Sequence, residues 1–176
     1  CDSFLDEDPK SSLTLDTYYK TSADIIGNVD YLYRDGAPDK MGNMTGAYRG
    51  SSLSVMNMVT GYFVNEYEGQ EVDCSYARQL TRQDFTQSCC NYLTNDTWKS
   101  CYKSINVANA VIKYVDGVEM DNQAQYKAEA RFFRALNYFY LVKMFGDVPM
   151  VTEPTEDATL VEYPTRTAAS EVFNTV

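Results

Sequence analysis

The stretch from Tyr62 to Tyr92 holds the residues best suited to recognise a ligand. It sets Tyr62, Phe63, Tyr67, Tyr76, Phe85 and Tyr92 among Asn65, Asp73, Arg78 and several glutamates. Sugars offer flat CH faces that stack on aromatic rings, and hydroxyls that pair with amides, carboxylates and guanidinium groups. We therefore take Tyr62, Asn65, Tyr67, Asp73, Tyr76, Arg78 and Tyr92 as candidate glycan contacts. For each ring the ordinary alternative is half-buried packing with the hydroxyl in water. Glu66, Glu68, Glu71 and Asp73 could also supply a glycosidase pair, which needs two carboxyls about 5 to 10 Å apart. Acidic residues at this density are common in solvated loops, so binding without catalysis is the expectation.

Composition removes other chemistries. The 176 residues include no histidine, which excludes Ser-His-Asp and Cys-His catalysis and every His-containing zinc site within this stretch. The acidic runs show no EF-hand spacing, so neither metal nor cofactor is expected. A formal net charge of -10 opposes binding to nucleic acid or to an anionic membrane through basic residues. No run approaches the roughly 18 consecutive apolar residues of a membrane-spanning helix. Of the five cysteines, Cys89 and Cys90 are direct neighbours rather than a Cys-x-x-Cys redox pair. One of them bonded to Cys74 or Cys101, or both left as thiols, are the open alternatives. Cys101 reads most simply as a buried thiol.

These loops need helices to hold them. From Gln123 to Pro149 the pattern predicts one long buried helix. At about 100° per residue, Tyr126, Ala130, Phe133, Asn137, Tyr140, Leu141 and Met144 share one side. Ala128, Phe132, Ala135, Phe139 and Val142 fall nearly opposite, and a helix apolar on two faces should be packed on both. A narrow polar arc carries Lys127, Arg131 and Arg134, for which pairing with nearby carboxylates is expected. Glu129 lies off that arc and needs a partner from another element, while Asn137 should bond to another helix. Gly146 fits the residue after the helix end, Lys143 suits its negative pole, and Pro149 prevents resumption.

An earlier helix is predicted over Thr97 to about Val115, capped by Asn95 or Asp96, with Trp98, Cys101, Tyr102, Ile105, Ala108, Asn109 and Ile112 on one face. Asp116-Gly117 ends it, so the two helices form a tight antiparallel hairpin. Ser22 can cap a shorter helix whose stripe is Ile25, Ile26, Val29, Leu32 and Tyr33. Ala169, Val172, Phe173 and Val176 begin a last helix that has no C-terminal cap, so truncation at that end is expected. Asn43 and Asn95 stand in N-glycosylation tripeptides, which we treat as chance.

At the other end Cys1 is what signal cleavage at a lipobox leaves behind, with its thiol and amine available for acyl chains. Asp6, Glu7 and Asp8 follow it in an acidic, Pro-containing segment that promises no regular structure. We divide the chain into a tether, 1-12, and a helical domain, 13-176.

Ala128 to Met150, AEARFFRALNYFYLVKMFGDVPM, resembles the signature of the SusD/RagB family. Three further stretches are similar in order and spacing. They are Trp98, Tyr102, Ile105, Ala108-Asn109 and Ile112; Pro164, Arg166 and Glu171-Val172-Phe173; and the opening Cys1, Phe4, Leu5, Asp6 and Pro9. The middle, Gly36 to Asn91, has no counterpart that aligns. The resemblance implies a predominantly all-α fold of tetratricopeptide-like helical hairpins with long irregular ligand-binding loops. It also implies a lipid anchor at Cys1, an outer-membrane position facing the cell surface, and a TonB-dependent SusC-like transporter as partner. The expected function is capture of an oligo- or polysaccharide for carbohydrate uptake, with no bond made or broken. A RagB-like peptide binder and a helical-repeat adaptor receiving an acidic partner on Lys127, Arg131 and Arg134 are the alternatives.

Overall fold

The computed structural model describes residues 15-34, 57-64, 78-84, 88-156 and 164-176. Its elements are α1 (Leu15–Tyr18), α2 (Ser22–Arg34), α3 (Ser88–Tyr114), a 3-10 turn (Val115–Gly117), α4 (Gln123–Phe145), β1 (Val148–Pro149), β2 (Arg166–Thr167) and α5 (Ala169–Thr175). The chain is predominantly helical, as expected, and is built on the α3–α4 hairpin with α2 against both of its arms.

Local chemistry explains most boundaries. Thr21 rather than Ser22 caps α2: its backbone N–H donates to Asp24 Oδ2 at 2.8 Å, and Asp24 N–H reaches back to Thr21 Oγ1 at 3.4 Å. This reciprocal arrangement satisfies two donors that the helix start would otherwise leave open. Helix α3 starts at Ser88, well before Thr97, so Asn95 and Asp96 lie inside it rather than at its start. Neither Gly nor Pro occurs between Ser88 and Tyr114, so once the packed half forms, extension meets no steric stop. Helix α4 ends where predicted. Gly146 has φ +70° and donates its N–H to Val142 O at 3.0 Å.

Two apolar clusters hold these elements. The first joins Ile25, Val29 and Leu32 of α2 to Ala108, Val111 and Val115 and to Ala130 and Phe133 of α4. The second, at the other end of the hairpin, joins Cys101 and Ile105 to Tyr138, Leu141 and Val142, and takes in Val148 and Val172. Cys101 is a thiol within that cluster, which removes the disulfide alternative through it. Cys74, and the side chains of Cys89 and Cys90, lie outside the described residues.

Among the described residues the second face of α4 is covered in part. Its first face is buried or half-buried, and Val142 of the second face is buried in the second cluster, but Phe132 is 61% and Phe139 43% exposed. Helix α5 reaches that second face through Phe173 against Phe139 at 6.3 Å. Glu129 does find its partners: Tyr33 Oη of α2 donates to it at 3.2 Å and Gln125 Nε2 at 2.8 Å. Asn137, expected to bond across helices, donates Nδ2 to Phe133 O of its own helix at 2.8 Å.

Candidate functional site

The segment after α4 turns back across α3 and is fastened at each step. Tyr102 Oη donates to Pro149 O at 2.6 Å. Asn109, almost fully buried, donates Nδ2 to Val151 O at 3.0 Å and Glu153 O at 3.3 Å. Thr155 N–H donates to Asn106 Oδ1 at 2.8 Å. Farther along, Glu156 Oε1 accepts from Lys113 Nζ at 2.6 Å and Tyr114 Oη at 2.8 Å, and these two donors hold its carboxyl below the usual carboxylate range.

Among the described residues Arg134 bonds to an amide rather than to a carboxylate. Its Nη1 donates to Asn109 Oδ1 at 3.1 Å, so the guanidinium supports the amide that grips the return segment. Partial burial lowers its pKa. Lys127 does pair with a carboxylate, that of Asp116 beside the hairpin turn. Of the polar arc, Arg131 is exposed and makes no ion pair among the described residues.

The run Phe-Gly-Asp-Val-Pro now has a physical reading. Gly146 turns the chain, Asp147 O accepts from Arg166 Nη1 at 2.7 Å, and Asp147 Oδ1 accepts Ala169 N–H at the start of α5 at 2.9 Å. Val148 pairs with Thr167, and Pro149 with Arg166, in a two-residue antiparallel ladder. The Arg166 guanidinium lies 6.0 Å from the Trp98 ring, which meets Tyr102 and Phe145 at 5.1 Å each.

Of the predicted ligand contacts, Tyr62 and Arg78 fall in described segments. Thr60 Oγ1 donates to Asn57 O at 2.6 Å and accepts Tyr62 N–H at 3.2 Å, and Gly61 has φ +79°. This turn projects Tyr62, 90% exposed, with Phe63 and Val64 also exposed. Arg78 is half-buried and opens the helical turn 78-81. The two segments touch, since Gln83 Nε2 donates to Val59 O at 3.4 Å and Thr81 Oγ1 lies 4.0 Å from Met58 Sδ. Asn65, Tyr67, Asp73 and Tyr76 lie outside the described residues, as do Cys1, the tether and the carboxylates Glu66, Glu68 and Glu71. Tyr92 falls within α3, but its side chain is also outside them.

A concavity of about 580 Å³ was not anticipated. It lies between the start of α2 and the α3–α4 turn and is lined by Ser22, Ile26, Glu119, Met120, Asp121, Asn122 and Tyr126. Its carboxylates and amide can accept from hydroxyls beside an apolar wall, whereas an anion would meet repulsion. Asn122, one of its lining residues, has a left-handed backbone, φ +57°. A polar connection holding Asn is the sequence signal, but its meeting with Ser22 and Ile26 is a tertiary event.

Fold and surface together define a helical-hairpin domain that presents polar and aromatic loops. Residues 3-176 match a SusD-like family described as "Starch-binding associating with outer membrane", and the chain belongs to that family. Among its relatives are two proteins of Formosa agariphila. SusD-like protein P25 is 27% identical over 163 residues, which are 88% of this chain and 29% of the relative. SusD-like protein P2 is 24% identical over 171 residues, 96% of this chain and 32% of the relative. The chain thus spans about a third of the length of these relatives. No solved structure matches it.

Proposed function

We propose that this chain is the N-terminal part of a cell-surface glycan-binding lipoprotein of the outer membrane. It captures an oligo- or polysaccharide and delivers it to a TonB-dependent SusC-like transporter. Residues 1-12 form the tether from a lipidated Cys1, and 13-176 the helical domain. The protein acts as a binder rather than an enzyme, with selectivity from ring stacking and hydroxyl pairing and with low affinity per site, because a polar ligand's water must be replaced.

The observation that carries this reading is the Gly61 turn, which holds the Tyr62 ring 90% exposed beside exposed Phe63. Two neighbouring aromatic side chains held in water by a hydrogen-bonded turn suit a flat sugar face. Asn65, Tyr67, Asp73, Tyr76, Arg78 and Tyr92 supply the remaining contacts. The adaptor alternative gains less support, because Lys127 and Arg134 are already engaged by Asp116 and Asn109.

Glycan-array binding by the full-length protein tests the proposal, with a folded variant carrying Tyr62, Tyr67, Tyr76 and Tyr92 changed to Ala. Binding of one glycan class that the variant loses is the expected result. Binding of peptides with no glycan would overturn the carbohydrate assignment and favour a RagB-like ligand. Release of sugar product on incubation would overturn the non-enzymatic one.

A further inference from the structure

The concavity between α2 and the α3–α4 turn is built by elements other than those that carry Tyr62. Its volume of about 580 Å³ lies within the roughly 300 to 1,000 Å³ of small-molecule sites. Ile26, Met120 and Tyr126 are half-buried and form an apolar wall, and the last two pack against the first core cluster. Exposed Glu119, Asp121 and Asn122, with half-buried Ser22, complete the lining.

Both walls are fixed by bonds that leave the polar lining unused. Gln123 Nε2 donates to Val115 O at 2.7 Å and to Val118 O at 3.0 Å, which ties the turn to the start of α4. Asn122 O accepts the N–H groups of Gln125 and Tyr126 at 2.9 and 3.1 Å. Thr21 and Asp24 set the start of α2. Asp24, Asp116 and Glu129 on the same elements are each engaged. The side chains of Ser22, Glu119, Asp121, Asn122 and Tyr126, by contrast, bond to no other residue among the described ones.

The mix of donors and acceptors narrows the ligand. Glu119 and Asp121 only accept, whereas the Asn122 amide and the Ser22 and Tyr126 hydroxyls both accept and donate. An ammonium group only donates, so it would serve the carboxylates but offer nothing to the amide N–H groups of Asn122. A sugar hydroxyl donates and accepts, and the CH face of a sugar ring suits a wall of Ile26, Met120 and Tyr126.

We propose that this concavity is a second carbohydrate site, separate from the Tyr62 loops, that takes a short stretch of neutral sugar units. Glu119 and Asp121 accept from hydroxyls of the sugar, Asn122 donates to one, and the apolar wall takes a CH face. The class of ligand rests on the glycan-binding reading, but the site uses none of the residues assigned there.

Methyl NMR of the full-length protein tests it, with the Met120 signal assigned through Met120→Leu. Maltotriose, cellotriose, mannotriose and galactotriose are titrated at millimolar concentration into the native and Tyr62→Ala forms. At least one of these sugars should shift the Met120 signal equally in both forms, and Asp121→Ala, a change on an exposed side chain, should weaken that response at least about fivefold. Silence of Met120 toward all four sugars would overturn the proposal. A response that disappears with Tyr62→Ala would also overturn it, by leaving a single site at the loops. So would n-butylammonium displacing the sugar, which would make the concavity a cation site. A silent Met120 in a protein that still binds an arrayed glycan through its loop tyrosines strikes this inference alone. A Met120 response in a protein whose glycan binding ignores those tyrosines strikes the loop site and leaves this one standing.

Discussion

The hydroxyl of Tyr138 bonds twice to one residue, donating to Val151 O at 2.9 Å and accepting from Val151 N–H at 2.6 Å. The ring is fully buried in α4, while Val151 belongs to the segment that returns over α3. One side chain thus pairs both backbone groups of a half-buried residue, a role usually left to a neighbouring strand. Removing the hydroxyl with Tyr138→Phe should cost about 1 to 3 kcal/mol, since Val151 N–H loses its partner away from water. Thermal unfolding followed by circular dichroism checks this. A cost below about 0.5 kcal/mol would mean that the return segment is anchored elsewhere.

Asn109 and Arg134 should behave as one unit. Asn109→Ala frees two backbone carbonyls and leaves the guanidinium of Arg134 without its amide acceptor. In a double-mutant cycle with Arg134→Met, the interaction energy should reach about 1 kcal/mol or more. Additive losses would show that Arg134 contributes through the packing of its stem alone.

The contact of Glu156 with Lys113 and Tyr114 should give stability that depends on pH. Its folded pKa is depressed below the ordinary 4.5. The contribution is therefore fully present above that value and is lost as pH falls through the lower folded pKa. Asp24, whose carboxyl Thr21 holds down in the same direction, adds to the same acid limb. Comparing melting temperatures of the native protein and Glu156→Gln from pH 7 to pH 3, the two curves should converge at the acid end. A constant gap at all pH values would assign the effect to something other than the carboxylate.

Gly146 should resist substitution for a backbone reason alone. No atom lies within 4 Å of the position a Cβ would occupy, yet φ is +70°. Gly146→Ala should therefore cost about 1 kcal/mol from conformational strain. The expected signature is a lower melting temperature with unchanged near-ultraviolet circular dichroism. A loss beyond about 3 kcal/mol would point to displacement of Asp147 and of the start of α5.

Much of this architecture was legible in the sequence because it rests on local rules. The 3.6-residue repeat located α2, α4 and α5, and Gly146 with Pro149 fixed where α4 had to stop. Motif residues identified the family, and Tyr62 entered the candidate set as one ring of a tyrosine-rich polar stretch suited to sugar stacking. The start of α3 was misplaced because Asn95 and Asp96 have the chemistry of a helix cap, and nothing local reveals that the helix has already begun. Periodicity showed that α4 has two apolar faces; only the packed structure decided that α2 and α3 cover one of them while Phe132 is left exposed on the other. Pairing partners were likewise out of reach: Arg134 meets Asn109 rather than a carboxylate, and Val148 meets Thr167, because contacts between residues far apart in the chain depend on how the helices stack. The cavity between Ser22 and Tyr126 belongs to the same class. Residue type and spacing set which helices form, and the stacking of those helices decides which side chains meet.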